Sequence, residues 1–244
     1  MSVAICRFCD RSAVLRKSHI LPEFIYRPLY DDKHRAMTLP AHGPSVYLQK
    51  GFRASLLCES CEQYFNEQFE KPFRQEFFEK ALLPQVAMRR RYKVKINYGA
   101  IKLFLLSVLW RAGVCDQSPF ELVYLAEHEP EIRRMLRDRD AGGTSTYPIF
   151  AFLGLVPDRR VAVPLVVQPY SPGHLEGCRV YVFVFGGCLW HFVLSNGFIP
   201  SVVAQNVLKE NGTVIIPTVD IWDVEELNQL FVKHFTEAKA RREF

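Results

Sequence analysis

The sequence predicts an α+β protein, with a small metal-organised N-terminal module followed by an α+β domain in which helices flank an antiparallel sheet. Three observations point there. Two Cys-x-x-Cys pairs, Cys6/Cys9 and Cys58/Cys61, lie in a segment with little sustained periodicity. Apolar residues then recur at helical spacing from Tyr98 to Ala112 and again from Pro130 to Arg139. From Tyr147 to Pro217 the chain becomes rich in Val, Phe, Tyr, Gly and Pro, in short runs of strand character.

At 244 residues, with 49% hydrophobic and 23% charged residues, the chain can bury a real core and is too apolar to be disordered. Its most apolar helical stretch, Phe104 to Trp110, is too short to span a bilayer. Met1 to Cys6 lacks the charged and apolar regions of a signal peptide. A soluble, cytoplasmic protein that does not engage a membrane is expected. Seven cysteines make an odd number, and in a reducing compartment closely spaced pairs are better metal ligands than disulfides.

In chain order, residues 1–80 form the expected zinc-binding module, because two Cys-x-x-Cys turns offer four thiolates to one tetrahedral Zn²⁺, which replaces the core so short a segment lacks. A helix is expected after Cys58. Residues 81–97 form a basic connecting segment, and residues 98–244 the α+β domain. There Ile101, Leu105, Val108, Leu109 and Ala112 mark a buried helix. Ile132, Met135 and Leu136 mark a second one, with an Arg-rich outer face and a stop at Gly142-Gly143. Strands are expected at Pro148 to Val156, Ala162 to Gln168, Arg179 to Phe185, Cys188 to Leu194 and Thr213 to Ile216. Gly186-Gly187 makes a tight hairpin. Val224 to Arg242 reads as an amphipathic helix. Cys115, Cys178 and Cys188 sit in apolar runs and read as core, as does His191, while His34, His42, His128, His174 and His234 read as surface residues.

Between the cysteine pairs lies Lys17-Ser18-His19-Ile20-Leu21-Pro22, and the second pair is embedded in Leu56-Leu57-Cys58-Glu59-Ser60-Cys61-Glu62-Gln63-Tyr64-Phe65-Asn66. This order resembles the zinc-containing branch of the HNH endonucleases over about residues 6–70. The resemblance implies a treble-clef, ββα-metal fold, in which a hairpin and a helix grip a catalytic divalent ion, Mg²⁺ or Mn²⁺. It also implies hydrolysis of nucleic-acid phosphodiesters, with His19 as general base and Glu62 and Asn66 on the following helix holding the ion. Imidazole suits a base near neutrality, and carboxylate and amide oxygens suit such an ion. A setting in prokaryotic restriction or antiviral defence is a further implication. The match departs from the family at Ser18, where an acidic ligand is common, at Glu62, where Asn or His is usual, and in lacking the Asn that normally precedes Leu-Leu-Cys. A treble clef that keeps zinc and binds nucleic acid or a partner protein without cutting is therefore the alternative. Glu67 and Glu70, on the same helix, read as solvated.

The net charge of +5 is unevenly spread, since residues 1–95 hold 17 of the 31 Lys+Arg but 10 of the 26 Asp+Glu. Arg89, Arg90, Arg91, Lys93 and Lys95 crowd around Tyr92, and Arg16 and Lys17 precede His19. Such a balance fits a nucleic-acid partner, DNA first, bound through its phosphates. Homo-oligomers or a partner protein are compatible with it. No Gly-rich phosphate loop or nucleophile elbow occurs.

Overall fold

The computed structural model describes residues 3–38, 46–79, 90–156, 161–162, 166–229 and Val232. Arg89, His42, His234 and the expected tail helix beyond residue 229, Val232 apart, lie outside them.

The chain is mixed α+β. Strands β1 (Val3–Ile5), β2 (Ser12–His19) and β5 (Arg53–Cys58) form a three-stranded antiparallel sheet in the order β1-β2-β5. Between β2 and β5 come the short helix α1 (Glu23–Tyr26) and the ribbon β3 (Ala36–Thr38) with β4 (Val46–Leu48). Strand β5 runs straight into helix α2 (Glu59–Phe65), which continues through a π-helical stretch (Asn66–Glu70), α3 (Lys71–Phe73) and a second π-helical stretch (Arg74–Glu79).

The basic segment is not merely a connector. Arg91–Lys95 is strand β6, paired antiparallel with β12 (Thr213–Asp220) from Lys95↔Thr213 to Arg91↔Pro217. Alternation explains how so charged a run enters a sheet: Tyr92 and Val94 pack on the core, while Arg91, Lys93 and Lys95 are exposed. β6 is an edge strand, and a lysine-bearing edge resists pairing with another chain.

The large sheet has the order β6-β12-β7-β11-β10-β9, with β7 (Ile149–Val156), β9 (Val167–Leu175), β10 (Cys178–Phe185) and β11 (Cys188–Val193); β8 (Val161–Ala162) pairs with β7. Its pairings are antiparallel except where β12 turns from β6 to β7 and runs parallel to it at Thr218–Asp220. That second partner is why β12 extends four residues past the expected Ile216. Of the run Ala162 to Gln168, Ala162 belongs to β8 and Val167 and Gln168 to β9, and residues 163–165 lie outside the described residues. Gly186 and Gly187, at φ of 61° and 79°, close the β10–β11 hairpin, a conformation that a Cβ would strain.

Both faces of this sheet are buried. Leu153, Phe183, Phe185 and Trp190 face the main core, whereas Phe150, Val182, Val184 and Leu189 face a second cluster with Val207, Ile221 and Leu227. Helix α4 (Tyr98–Gly113) occupies the middle of the main core, and every residue from Ile101 to Ala112 is buried. Its start is capped by the Asn97 side chain, which accepts from Ala100 N at 3.1 Å. The core is continuous from Cys6 and Phe8 through α4 to the sheet. Helix α5 (Glu129–Asp138) ends on Arg139 in the left-handed region (φ 56°), before the Gly142-Gly143 stop is reached.

Lys102 is buried in this core, its Nζ donating to the Tyr98 hydroxyl and the Gly143 carbonyl, both at 2.7 Å. Burial lowers its pKa to about 8, against the pull of Glu210 and Asp140. The unfolded chain therefore holds more protons than the native one between about pH 8 and 10.5, and stability rises with pH across that window. Urea midpoints should show a contribution of roughly 3 kcal/mol gained from below pH 8 to above 10.5, and Lys102→Met should remove that slope.

Candidate functional site

The first cysteine pair is a tight turn. Asp10 N donates to Cys6 O and Cys6 N to Arg11 O, both at 2.9 Å, with Asp10 in the left-handed region (φ 58°). The second pair straddles the start of α2, with Cys58 at its N-cap. Cys58 N donates to Cys6 Sγ at 3.3 Å. The four thiols are unpaired, and their Sγ atoms all lie within 4.8 Å of one another. Such a cluster could hold a structural metal such as zinc.

The electrostatics agree with that chemistry. Burial raises the Cys6 and Cys61 thiols, and neighbouring sulfurs push Cys61 further in the same direction. At Cys9 burial is outweighed by Arg11, whose Nε donates to Sγ at 3.4 Å, and the thiol falls to about 6. Four thiolates so close repel one another strongly, so full deprotonation needs a cation among them.

Helix α5 clamps the first turn. Arg137 donates to the Phe8 carbonyl through Nε at 3.1 Å and through Nη2, and Arg133 Nη1 meets both oxygens of Asp10 at 2.9 and 3.0 Å. Arg134 pairs with Glu131 and Asp138. The Arg-rich face of α5 is therefore engaged by protein groups. Between the two cysteines of that turn, the Phe8 ring packs edge-on against Phe65 (4.9 Å) and Trp110 (5.4 Å).

At the far end of β2, cross-strand register pairs Lys17 with Ser55, Ser18 with Ala54 and His19 with Arg53. Ser18 is fully buried against the helix, its Oγ donating to Glu62 Oε2 at 2.5 Å. Lys17, Arg53 and Ser55 line an open groove of about 460 Å³ on the other face, with Gln49 and Gln117 and, among the described residues, no carboxylate. His19 is half-buried, its Nε2 at 2.9 Å from the Lys50 carbonyl. A carbonyl only accepts, so Nε2 carries the proton and Nδ1 keeps its lone pair. Burial lowers the His19 pKa, with Lys50 and Glu70 opposing and Arg53 and Arg111 reinforcing.

Glu62 is half-buried, and burial raises its carboxyl against the Ser18 hydrogen bond and the Arg111 charge. Its second oxygen meets no hydrogen-bond donor among the described residues. Asn66 is exposed at the end of α2, its N–H still bonded to the Glu62 carbonyl one α-helical turn back, and the π-helical stretch begins there. Among the described residues no hydrogen bond joins the side chains of His19, Glu62 and Asn66; Glu62 meets β2 through Ser18, and His19 bonds Lys50. Of the basic candidates, Arg16 pairs with Glu59, whereas Arg90, Arg91 and Lys93 are exposed.

Two groups escape a sequence reading. Glu70 is not simply solvated, because its Oε1 accepts from Arg111 Nη1 at 2.7 Å. Arg111 is 1% exposed, projects from the last turn of α4, and also donates through Nη1 to the His19 carbonyl at 2.8 Å. The signal for it is a cation inside an apolar helix, which α4 shows twice, at Lys102 and at Arg111.

Among the described residues no helix is long and apolar enough to cross a membrane. Comparison of the chain with protein-family models, with curated proteins and with solved structures returns no match.

Proposed function

We propose that the protein is a metal-dependent endonuclease of the HNH kind, built on a zinc-stapled treble clef, that hydrolyses nucleic-acid phosphodiesters with His19 as general base. The observation that carries this reading is the state of His19. Its ring is fixed through Nε2 by the Lys50 carbonyl, among the described residues its Nδ1 has no hydrogen-bond partner, and its cross-strand partner Arg53 lines a groove whose described lining offers cations and amides and no carboxylate. A phosphodiester is the anion such a groove suits, and a neutral imidazole two residues past Lys17, on the strand that borders the groove, would serve as base to a water.

Cys6, Cys9, Cys58 and Cys61 would bind the structural Zn²⁺, consistent with four clustered sulfurs. Glu62, with one oxygen free of donors, and Asn66 would hold Mg²⁺ or Mn²⁺. Such an ion supplies charge stabilisation at the scissile phosphate. Arg90, Arg91 and Lys93 on and beside the exposed face of β6 would add sequence-independent contacts to more distant phosphates.

One observation favours the non-catalytic alternative: the Arg111 guanidinium already neutralises Glu70 beside this site, and Glu62 is already bonded to Ser18. Incubation of supercoiled plasmid with Mg²⁺ or Mn²⁺ separates the two. Nicking that stops on chelation and returns with the ion is the expected result. Binding without cutting in Mg²⁺, Mn²⁺, Ca²⁺ and Zn²⁺ would give the function to the non-catalytic module.

A further inference from the structure

We propose that Arg111 is a positioning residue for His19, holding the end of β2 so that α4 sets where the imidazole stands. The inference rests on the reading of His19 as the base and names the residue that keeps it in place. Arg111 binds four acceptors on three elements. Nε and Nη2 donate to the Ser107 carbonyl (3.2 Å) and hydroxyl (3.3 Å) within α4, and Nη1 donates to Glu70 on the helix after β5 and to the His19 carbonyl. The guanidinium also lies over the Phe65 ring at 5.4 Å.

Stability alone gives a poor account of this arrangement. Taking a guanidinium out of water is costly, and well-packed apolar residues of similar volume commonly replace buried ion pairs with no loss. The neighbours of Arg111 along α4 are apolar and buried, so a methionine would suit the helix. What a methionine cannot do is bond the His19 carbonyl. That oxygen belongs to the last residue of β2, where the strand ladder gives way to α1, so without the bond the backbone of His19 loses its fixed point on α4. The imidazole is then held at its tip by Lys50 alone. The groups around it are Lys50 from the turn before β5, Arg53 from β5, Glu70 from the helix after β5 and Arg111 from α4.

The test uses the full chain and the double variant Arg111→Met/Glu70→Gln, which removes both charges and leaves neither buried alone. Its melting temperature and metal content should match wild type, while kcat for plasmid nicking falls about 100-fold, the scale of an ångström-sized misplacement. KM should stay within a factor of a few, because the groove residues are untouched. Arg111→Lys, which can still reach one acceptor, should recover part of the loss. Independently of any cutting, the ¹⁵N-labelled Nε2–H resonance of His19 should be sharp in wild type and broadened or displaced in the double variant. A folded double variant with unchanged kcat and an unchanged His19 resonance would overturn the proposal. If the wild type never nicks DNA, the nuclease reading fails, and the resonance alone decides whether Arg111 positions the ring.

Discussion

Cys58→Ser should abolish metal binding and collapse the N-terminal half. Purified wild type should carry about one zinc per chain by elemental analysis, and the variant close to none. A serine oxygen is a poor substitute for a thiolate, and Cys58 lies at the junction of β5 and α2, where its amide also bonds Cys6 Sγ. Structural zinc in small modules contributes about 10–16 kcal/mol at neutral pH, against a typical total stability of roughly 5–15 kcal/mol. Even partial loss is large on that scale. The damage should also spread, because Phe8 rides on the first turn and touches Trp110 at the centre of the molecule. Trp fluorescence should therefore shift with metal loss. A variant that keeps both its zinc and its native emission would show that the sulfurs are only core residues.

His19→Ala should lower plasmid nicking by about 10²- to 10⁴-fold, the usual contribution of a positioned general base, while folding and zinc content hold. The side chain makes one hydrogen bond, to Lys50 O, whose loss is worth roughly 1 kcal/mol. The pH profile gives a second check. A base works deprotonated, and burial holds His19 below the ordinary histidine value, so the neutral form already dominates under mildly acidic conditions. The acidic limb of the cutting profile should therefore lie below the ordinary histidine value of about 6.5. An acidic limb above neutrality, or an alanine variant that cuts normally, would remove His19 from the chemistry.

Much of this architecture could be read from local pattern. The knuckles announce themselves by spacing, α4 by its period, and the β10–β11 hairpin by two glycines whose positive φ values few other residues accept. What stayed hidden depends on distant partners. Strand β6 looked like a solvated charge run because its partner, β12, lies more than a hundred residues downstream, although Arg-Tyr-Lys-Val-Lys already alternates. The arginines of α5 read only as an outer face because Asp10 and the Phe8 carbonyl, which they meet, carry no local mark. At the candidate site, Glu62 was visible through its place after Cys61. Arg111 and Glu70 acquire meaning only once α4 crosses the helix that follows β5. The π-helical stretch after Phe65 is likewise silent in sequence, yet it alters which side chains follow Glu62 around the helix.

The bond from Arg137 to the Phe8 carbonyl spans 129 residues, and this long reach bears on how the polypeptide is made. A nascent chain emerging from the ribosome completes both cysteine pairs early, but the arginines that hold the first turn are synthesised much later. The tryptophan that covers the aromatic ring between those cysteines, Trp110, is made before them, so the ring can be covered while the turn is still unclamped. The turn that carries the first two cysteines therefore gains its full set of holding groups only when translation has moved past α5.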